Sequence, residues 1–365
     1  MQKLNDKQSI ILEKSKISLK YRLYKPSVLV KLFKGPYKIS SSGWIWWIKT
    51  PDIIPILLTI DRFLDNKESK NVIVLKSGHP LKRRFYRIIN LDRSSIDYFA
   101  KHSFNIPLRK RIGALLGLRG SMVGRNHLTA ECINTEVISK NTPHGVPVLA
   151  FGEYIKLGLP AQQILIQPFL GDYKNFYEYW DGNLSFEERV QLMSKLIDLL
   201  TTLHRLSICH RDLHLKNIMV PNDKELPLKL IDCVSVILSV QPAIATAVDL
   251  GTLLYELNGK RDTLKEDLEN AAQSLLKKIV KNDPCFLKAS KILSLLLRYS
   301  FYGKRATKHL LFFDAKIKIN HLEQLLKMNN INNPEWLAYG KRHECELINA
   351  LNTAIKNMQN TELLY

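Results

Sequence analysis

The sequence predicts an α+β fold in two lobes, a small β-rich lobe with one main helix and a larger, mostly helical lobe. Three observations lead there. From Asn71 the hydrophobic pattern reads β-β-β-α-β-β, and beyond Leu170 it turns helical. Between long helices in the second half stands a short polar constellation, His210-Arg211-Asp212 with Asn217, and Asp232 follows it on the next apolar run.

The elements follow in order. Residues 1–70 form a basic, aromatic N-terminal extension with Gly43-Trp-Ile-Trp-Trp47 and an apolar stretch from Ile53 to Leu58. Residues 71–170 form the small lobe. Asn71-Val-Ile-Val-Leu75 is a β-rich run broken by Ser77-Gly78-His79, and strands over Arg84–Leu91 and Ile96–Lys101 are parted by the turn Asp92-Arg93-Ser94-Ser95. A helix is expected from about Asn126 to Lys140, closed by Asn141-Thr-Pro-His-Gly145. Val146–Tyr154 and Gln163–Leu170 read as another strand pair. Residues 171–365 form the helical lobe, opened by Phe186–Leu206, where Val190, Met193, Leu196, Ile197, Leu200 and Leu203 recur at helical spacing. Glu187 and Glu188 stand at the favourable end of its dipole.

The polar constellation has a mechanical logic. In His-Arg-Asp-x-x-x-x-Asn, Asp212 is placed to accept or align the hydroxyl proton of an acceptor. Asn217, five residues on, turns back toward a metal on nucleotide phosphates, and Asp232 chelates the other side of the same Mg²⁺–phosphate array. Phosphoryl transfer needs positioning and charge neutralisation, so these oxygen donors with one lysine make a nearly complete set for ATP and Mg²⁺. The fold expected is therefore protein-kinase-like. Its lysine belongs on the third strand, which makes it Lys101, with Glu131 on the following helix as its orienting partner and Glu136 as competitor. Lys76 contests the lysine role from a strand that comes too early. Gly78 is the one glycine where a phosphate-covering loop belongs, and Gln167 to Leu170, with Gln167 and Phe169 as contact residues, form the hinge that receives adenine. His214, or Lys216 beside Asn217, supplies positive charge to the transferring phosphoryl group; a scaffold role for His214 is the alternative. Asp249 reads as the start of a helix, either bracing the loop backbone or simply capping that helix.

Only sixteen residues separate Asp232 from Asp249, with no Ala-Pro-Glu and no Phe-Gly after the metal Asp. A peptide platform needs more chain, so the acceptor is expected to be a small molecule or glycolipid. Charge narrows it further. The chain carries 54 Lys+Arg against 34 Asp+Glu, a net +20. Met1–Thr50 holds 11 basic and 2 acidic residues and Leu81–Arg125 another 11 and 2, so the first third supplies nearly all the excess. Such a field calls for an anionic partner. Lys82-Arg83-Arg84 and Arg109-Lys110-Arg111 suit a phosphorylated glycolipid in an anionic leaflet. Trp44, Trp46 and Trp47 either lodge at the headgroup level or pack on the small lobe. No nucleic-acid motif accompanies the charge.

The residues Val72-Ile-Val-Leu-Lys-Ser-Gly78, Tyr86-Arg87, Tyr98-Phe-Ala-Lys101, Gly124-Arg125-Asn126, Gly145-Val-Pro147, Phe151-Gly152, His210-Arg-Asp-Leu-His214, Leu230-Ile-Asp232 and Asp249-Leu resemble the lipopolysaccharide core kinases, the Kdo and heptose kinases of inner-core assembly. The resemblance spans roughly Asn71 to Leu257, with Lys304-Arg-Ala-Thr-Lys-His309 extending it. It implies transfer of the ATP γ-phosphate to a sugar hydroxyl of lipid A–core at the cytoplasmic face of the inner membrane, with Lys101, Asp212, Asn217 and Asp232 in the roles given above. Cys-Val-Ser-Val after Asp232, where that family often has a basic residue, is a departure. A soluble kinase of the aminoglycoside or choline type shares the loop motif but usually has an acidic acceptor pocket, and a pseudokinase would not need the intact Lys-Asp-Asn-Asp set. Five scattered cysteines without a CxxC pair, a polar start and no apolar run long enough to span a bilayer fit a reduced, cytoplasmic protein, peripheral at the membrane surface.

Overall fold

The computed structural model describes residues 12–14, 27–39, 43–66, 70–75, 82–90, 96–105, 107–116, 128–180 and 184–257. Gly78, Lys76 and the run from Lys304 to His309 lie outside these residues. The chain divides into two compact units, Met1–Asp172 and Tyr173–Tyr365. The fold is α+β.

The first unit is built on strands β1 (Leu12–Lys14), β2 (Lys34–Ile39), β3 (Trp44–Ile48), β4 (Val72–Leu75), β5 (Arg83–Ile88), β6 (Tyr98–Phe104), β7 (Ala150–Lys156) and β8 (Leu159–Pro168). They form one antiparallel sheet in the order β1-β2-β3-β7-β8-β6-β5-β4. Among the described residues four α-helices accompany it: α1 (Ser27–Leu32), α2 (Ile54–Asn66), α3 (Leu108–Leu116) and α4 (Leu128–Asn141). The five strands β4 to β8 with α4 match the predicted β-β-β-α-β-β order, with α3 as an additional helix ahead of α4.

Residues 27–66, set apart in the sequence by composition, are built into this unit. β3 pairs with β7 from Trp44↔Tyr154 to Ile48↔Ala150. Strand alternation then sorts side chains between the two sheet faces. Trp44, Trp46, Ile48, Ala100, Ala150, Ile164 and Ile166 share one core with Ile56, Leu57 and Ile60 of α2. Trp47, Phe151 and Leu165 share the other with Leu29, Leu128 and Cys132. All three tryptophans are buried, Trp46 completely. The reading that placed them at lipid headgroups is corrected: they are core side chains, because a sheet covered by helices on both faces leaves no wet side at β3. Gly152 marks how close that packing is, since a Cβ there would lie 2.5 Å from Cζ3 of Trp46.

The second unit, as described, comprises β9 (Tyr173–Asn175), α5 (Phe176–Trp180), α6 (Phe186–Arg205), β10 (Ile218–Pro221), β11 (Lys229–Leu230) and α7 (Pro242–Leu257). Its small sheet runs β11-β10-β9. Helix α6 opens on a capping box: the Ser185 hydroxyl accepts from the Glu188 N–H while the Glu188 carboxylate accepts from the Ser185 N–H. Met193, Leu196, Ile197, Leu200 and Leu203 are buried as their spacing predicts, joined by Leu192 and Leu199. Val190 is exposed instead, in the first turns of the helix, which run out past the core.

Candidate active site

Each unit holds its own part of the predicted machinery. In the first, the pleat of β6 turns Ala100 into the α2-side core and Lys101 to the α4 side. Lys101 and Glu131 are 5% and 3% exposed, so this is a buried ion pair. The Lys101 Nζ lies 2.8 Å from Oε1 and 2.8 Å from Oε2 of Glu131. Glu131 sits in the first turn of α4, where the helix dipole favours a carboxylate. Glu136 is occupied elsewhere, accepting from the Lys49 ammonium at 2.5 Å and from the Val148 N–H at 2.9 Å.

The residues expected to form the hinge make these contacts within the unit. The Gln167 side-chain amide donates to the Val146 carbonyl at 3.0 Å, and the Phe169 N–H donates to the Asp97 carbonyl at 2.7 Å. The Arg87 guanidinium covers the Phe169 ring at 4.6 Å while its Nε donates to Asp97 Oδ2 at 2.6 Å. Both named contact residues are therefore engaged within the unit. The peptide joining Pro168 and Phe169 is trans, so with the Phe169 N–H bonded toward β6 the Pro168 carbonyl faces the other edge.

In the second unit, the chain from Cys209 to Asn217 is held by a fully buried carboxylate. Asp249 Oδ2 accepts from the His210 N–H at 2.9 Å and Oδ1 from the Arg211 N–H at 2.7 Å. The His204 Nε2 lies 3.0 Å from Oδ2, and the Thr246 hydroxyl lies 3.0 Å from the other ring nitrogen of His204. Burial pushes the Asp249 carboxyl up, but the hydrogen bond and charge of His204, with help from His210, outweigh it and hold the group below its ordinary value. Asp249 lies in the middle of α7 rather than at a helix start, so the capping alternative is ruled out by position. His204 and Thr246 carry no motif signal; their part in the brace is made by packing α6 against α7.

Braced in this way, the loop turns sharply. Arg211 takes a left-handed backbone at φ 67°. The Asp212 carbonyl accepts from the His214 N–H at 3.0 Å and from the Asn217 Nδ2 at 2.9 Å, closing the turn on itself. The His214 Nε2 lies 2.9 Å from Asp212 Oδ1. Burial raises the Asp212 carboxyl, yet the His214 hydrogen bond and charge, with His210, bring it below its ordinary value, while Asp232 pushes it back up. Asp212 and Asp232 are thus close enough to repel. Asp232 follows β11 in a left-handed conformation at φ 54°. β11 is laid beside the loop by the Ile231 N–H, which donates to the Asn217 carbonyl at 3.0 Å. Lys216 is exposed, its ammonium 6.0 Å from the Tyr177 ring centroid.

The short segment after Asp232 folds straight back. Ile237 pairs with Cys209 through bonds of 3.0 and 2.9 Å, and the Val240 N–H donates to the Ser207 carbonyl at 3.0 Å. These residues line the chain leading into the loop. The donor set also suits a hard cation. With Nδ2 of Asn217 committed to Asp212, its carbonyl oxygen is the end left to face a ligand, and the repelling pair Asp212 and Asp232 would be relieved by a divalent ion.

No family model and no curated protein matches this chain. Among solved structures, that of WaaP in complex with acyl carrier protein is similar at a TM-score of 0.45 and 14% identity, over 70% of this chain and 97% of that one, a likeness too loose to add to the geometry above.

Proposed function

We propose that this protein is an ATP-dependent phosphotransferase acting on a hydroxyl of a small anionic acceptor, specifically a sugar hydroxyl of the lipopolysaccharide inner core, Kdo or heptose. The observation that carries the reading is the braced loop. Asp249 fixes the backbone of His210 and Arg211, and the Asp212 carboxylate is ionised and aimed by His214. An ionised carboxylate of low basicity orients the acceptor hydroxyl and takes its proton late, which suits a loose phosphoryl-transfer transition state. Asn217 and Asp232 would hold Mg²⁺, which supplies charge neutralisation on the phosphates. Lys101, fixed by Glu131, would contact the α- and β-phosphates, and the Pro168 carbonyl and Leu170 N–H would receive adenine. The engagement of His214 with Asp212 favours a positioning role for the imidazole over direct contact with phosphate; the exposed Lys216 is the residue with freedom to reach it.

The acceptor class rests on two features. The segment from Cys233 to Val248 is spent on returning to Cys209 and Ser207 and on starting α7, which leaves no span for a peptide platform. The basic first third favours a phosphorylated acceptor over a cationic one. Lipid A–core from a strain lacking the gene, and from one carrying Asp212→Asn, is expected to lose one phosphate mass in each. Unchanged glycolipid in both would remove the inner-core acceptor, and absence of any ATP-dependent turnover by purified protein would remove the phosphotransferase.

A further inference from the structure

We infer that Gln163 is a positioning residue for Lys101: from β8 it seats the first turn of α4, and so sets where Glu131 holds the lysine ammonium. The inference rests on the nucleotide role proposed for Lys101. Two neighbouring side chains on one face of the sheet grip that turn. Lys101 of β6 stands opposite Leu165 of β8, and Gln163 is the preceding β8 residue on the same face, so the pleat turns Gln163 and Lys101 to one side. Leu165 shares its core with Leu128 and Cys132, which makes that side the one α4 covers. Lys101 reaches Glu131, and Gln163 reaches the start of the same turn.

The contacts of Gln163 occupy both ends of its amide. Its Oε1 accepts from the Leu128 N–H at 3.0 Å, while its Nε2 donates to the Thr129 hydroxyl at 2.7 Å and to Glu153 Oε1 at 2.9 Å. A backbone N–H can only donate, which fixes the acceptor end at the helix and leaves both amide N–H groups for the other two partners. The first N–H groups of a helix have no partner within it, so the Leu128 N–H needs an acceptor from outside. Glu153 stands opposite Gln163 in the β7–β8 pairing and backs it from the strand behind. Gln163, Glu153 and Thr129 are completely buried, where bonds of this kind are strong and their loss is costly.

Glutamine meets a demand that its nearest substitutes cannot. Glutamate has the shape but no donor, and would set a second carboxylate against Glu153; methionine fills the space and makes none of the bonds. Glu136, further along α4, ties the middle of the helix to Lys49 and the Val148 N–H. Loss of Gln163 therefore frees the first turn while the helix stays on the sheet. Glu131 moves with that turn, and Lys101 follows its partner away from the phosphates. A misplacement of about 1 Å is enough to cost a contact of this kind.

The test is the affinity of the full chain for MgATP and for adenosine, which keeps the base and sugar but offers no phosphate to Lys101, read by titration calorimetry. The parent should bind MgATP at least about tenfold tighter than adenosine, and K101M/E131M, which leaves no charge buried alone, should lose that preference. Q163M should lose at least about fivefold in MgATP affinity while adenosine affinity stays within about twofold, a split that general loosening of the fold would not give. Because Gln163 acts through the pair, K101M/E131M/Q163M should bind MgATP within about twofold of K101M/E131M. Parental MgATP affinity in Q163M overturns the inference. So does an equal loss of both ligands, or a further loss of about fivefold on adding Q163M to K101M/E131M. If Q163M does not fold, E153M/Q163M, which leaves no buried carboxylate behind, carries the same readings. A parent without preference for MgATP, or a K101M/E131M that keeps it, removes the nucleotide role of Lys101 and this inference with it. A preference lost in K101M/E131M and kept in Q163M removes the inference alone.

Discussion

Replacing Lys101 separates two things that the Lys101–Glu131 pair does. The pair is buried on both sides, with the ammonium 2.8 Å from each carboxylate oxygen. In Lys101→Met the Glu131 carboxylate keeps its desolvation and loses its counter-charge, which costs about 3–5 kcal/mol. That is at least about a fifth of the stability of an ordinary domain, about 5–15 kcal/mol. The double variant K101M/E131M removes both charges and fills the site with apolar side chains of similar length, so it should recover most of that loss. Activity should not recover with it. If Lys101 holds the nucleotide phosphates, both variants lose at least about a hundredfold in turnover, as for removal of one donor to developing charge. Urea unfolding at constant slope reads the stability, and ATP-dependent phosphate transfer reads the function. A K101M loss below about 1 kcal/mol would refute the buried-pair argument. A stable double variant with parental turnover would refute the nucleotide role.

The brace beneath the loop makes a second prediction. Asp249→Asn keeps the shape but replaces one accepting oxygen with a donor facing an N–H, so it should cost about 2–4 kcal/mol and speed hydrogen exchange at the His210 and Arg211 amides; an unchanged exchange pattern would contradict it. His102 offers a pH test. Burial, opposed by a hydrogen bond to Gln162 and aided by Arg84, lowers its pKa from 6.5 to about 4. A folded value below the unfolded one means that the unfolded chain takes the proton first, so stability falls as pH drops from 6.5 toward 4, by about 3 kcal/mol at completion. His102→Gln should flatten that part of the stability–pH curve, and an equal slope in the variant would count against the assignment. Gly152→Ala forces a methyl against the Trp46 ring and should cost about 1–3 kcal/mol in chemical denaturation, with a neutral outcome showing that β7 and β3 can part.

What was legible in the sequence was local. The spacing from His210 to Asn217 describes a single turn of chain whose hydrogen bonds close within five residues, and the period-2 and period-3.6 patterns locate β4 to β8, α4 and α6. Lys101 and Glu131 were legible too, because one strand and one predicted helix set them. Tertiary structure alone decided what depends on distant chain. Three tryptophans in a basic segment read equally well as surface or core until β3 is paired with β7 and α2 covers its face. Asp249 reads as either a brace or a cap until His204 and the loop amides are seen around it. The outward turn of Leu108, Ile112 and Leu116 likewise has no trace in composition. Burial and pairing are properties of what packs opposite a residue, and a linear sequence does not contain its opposite.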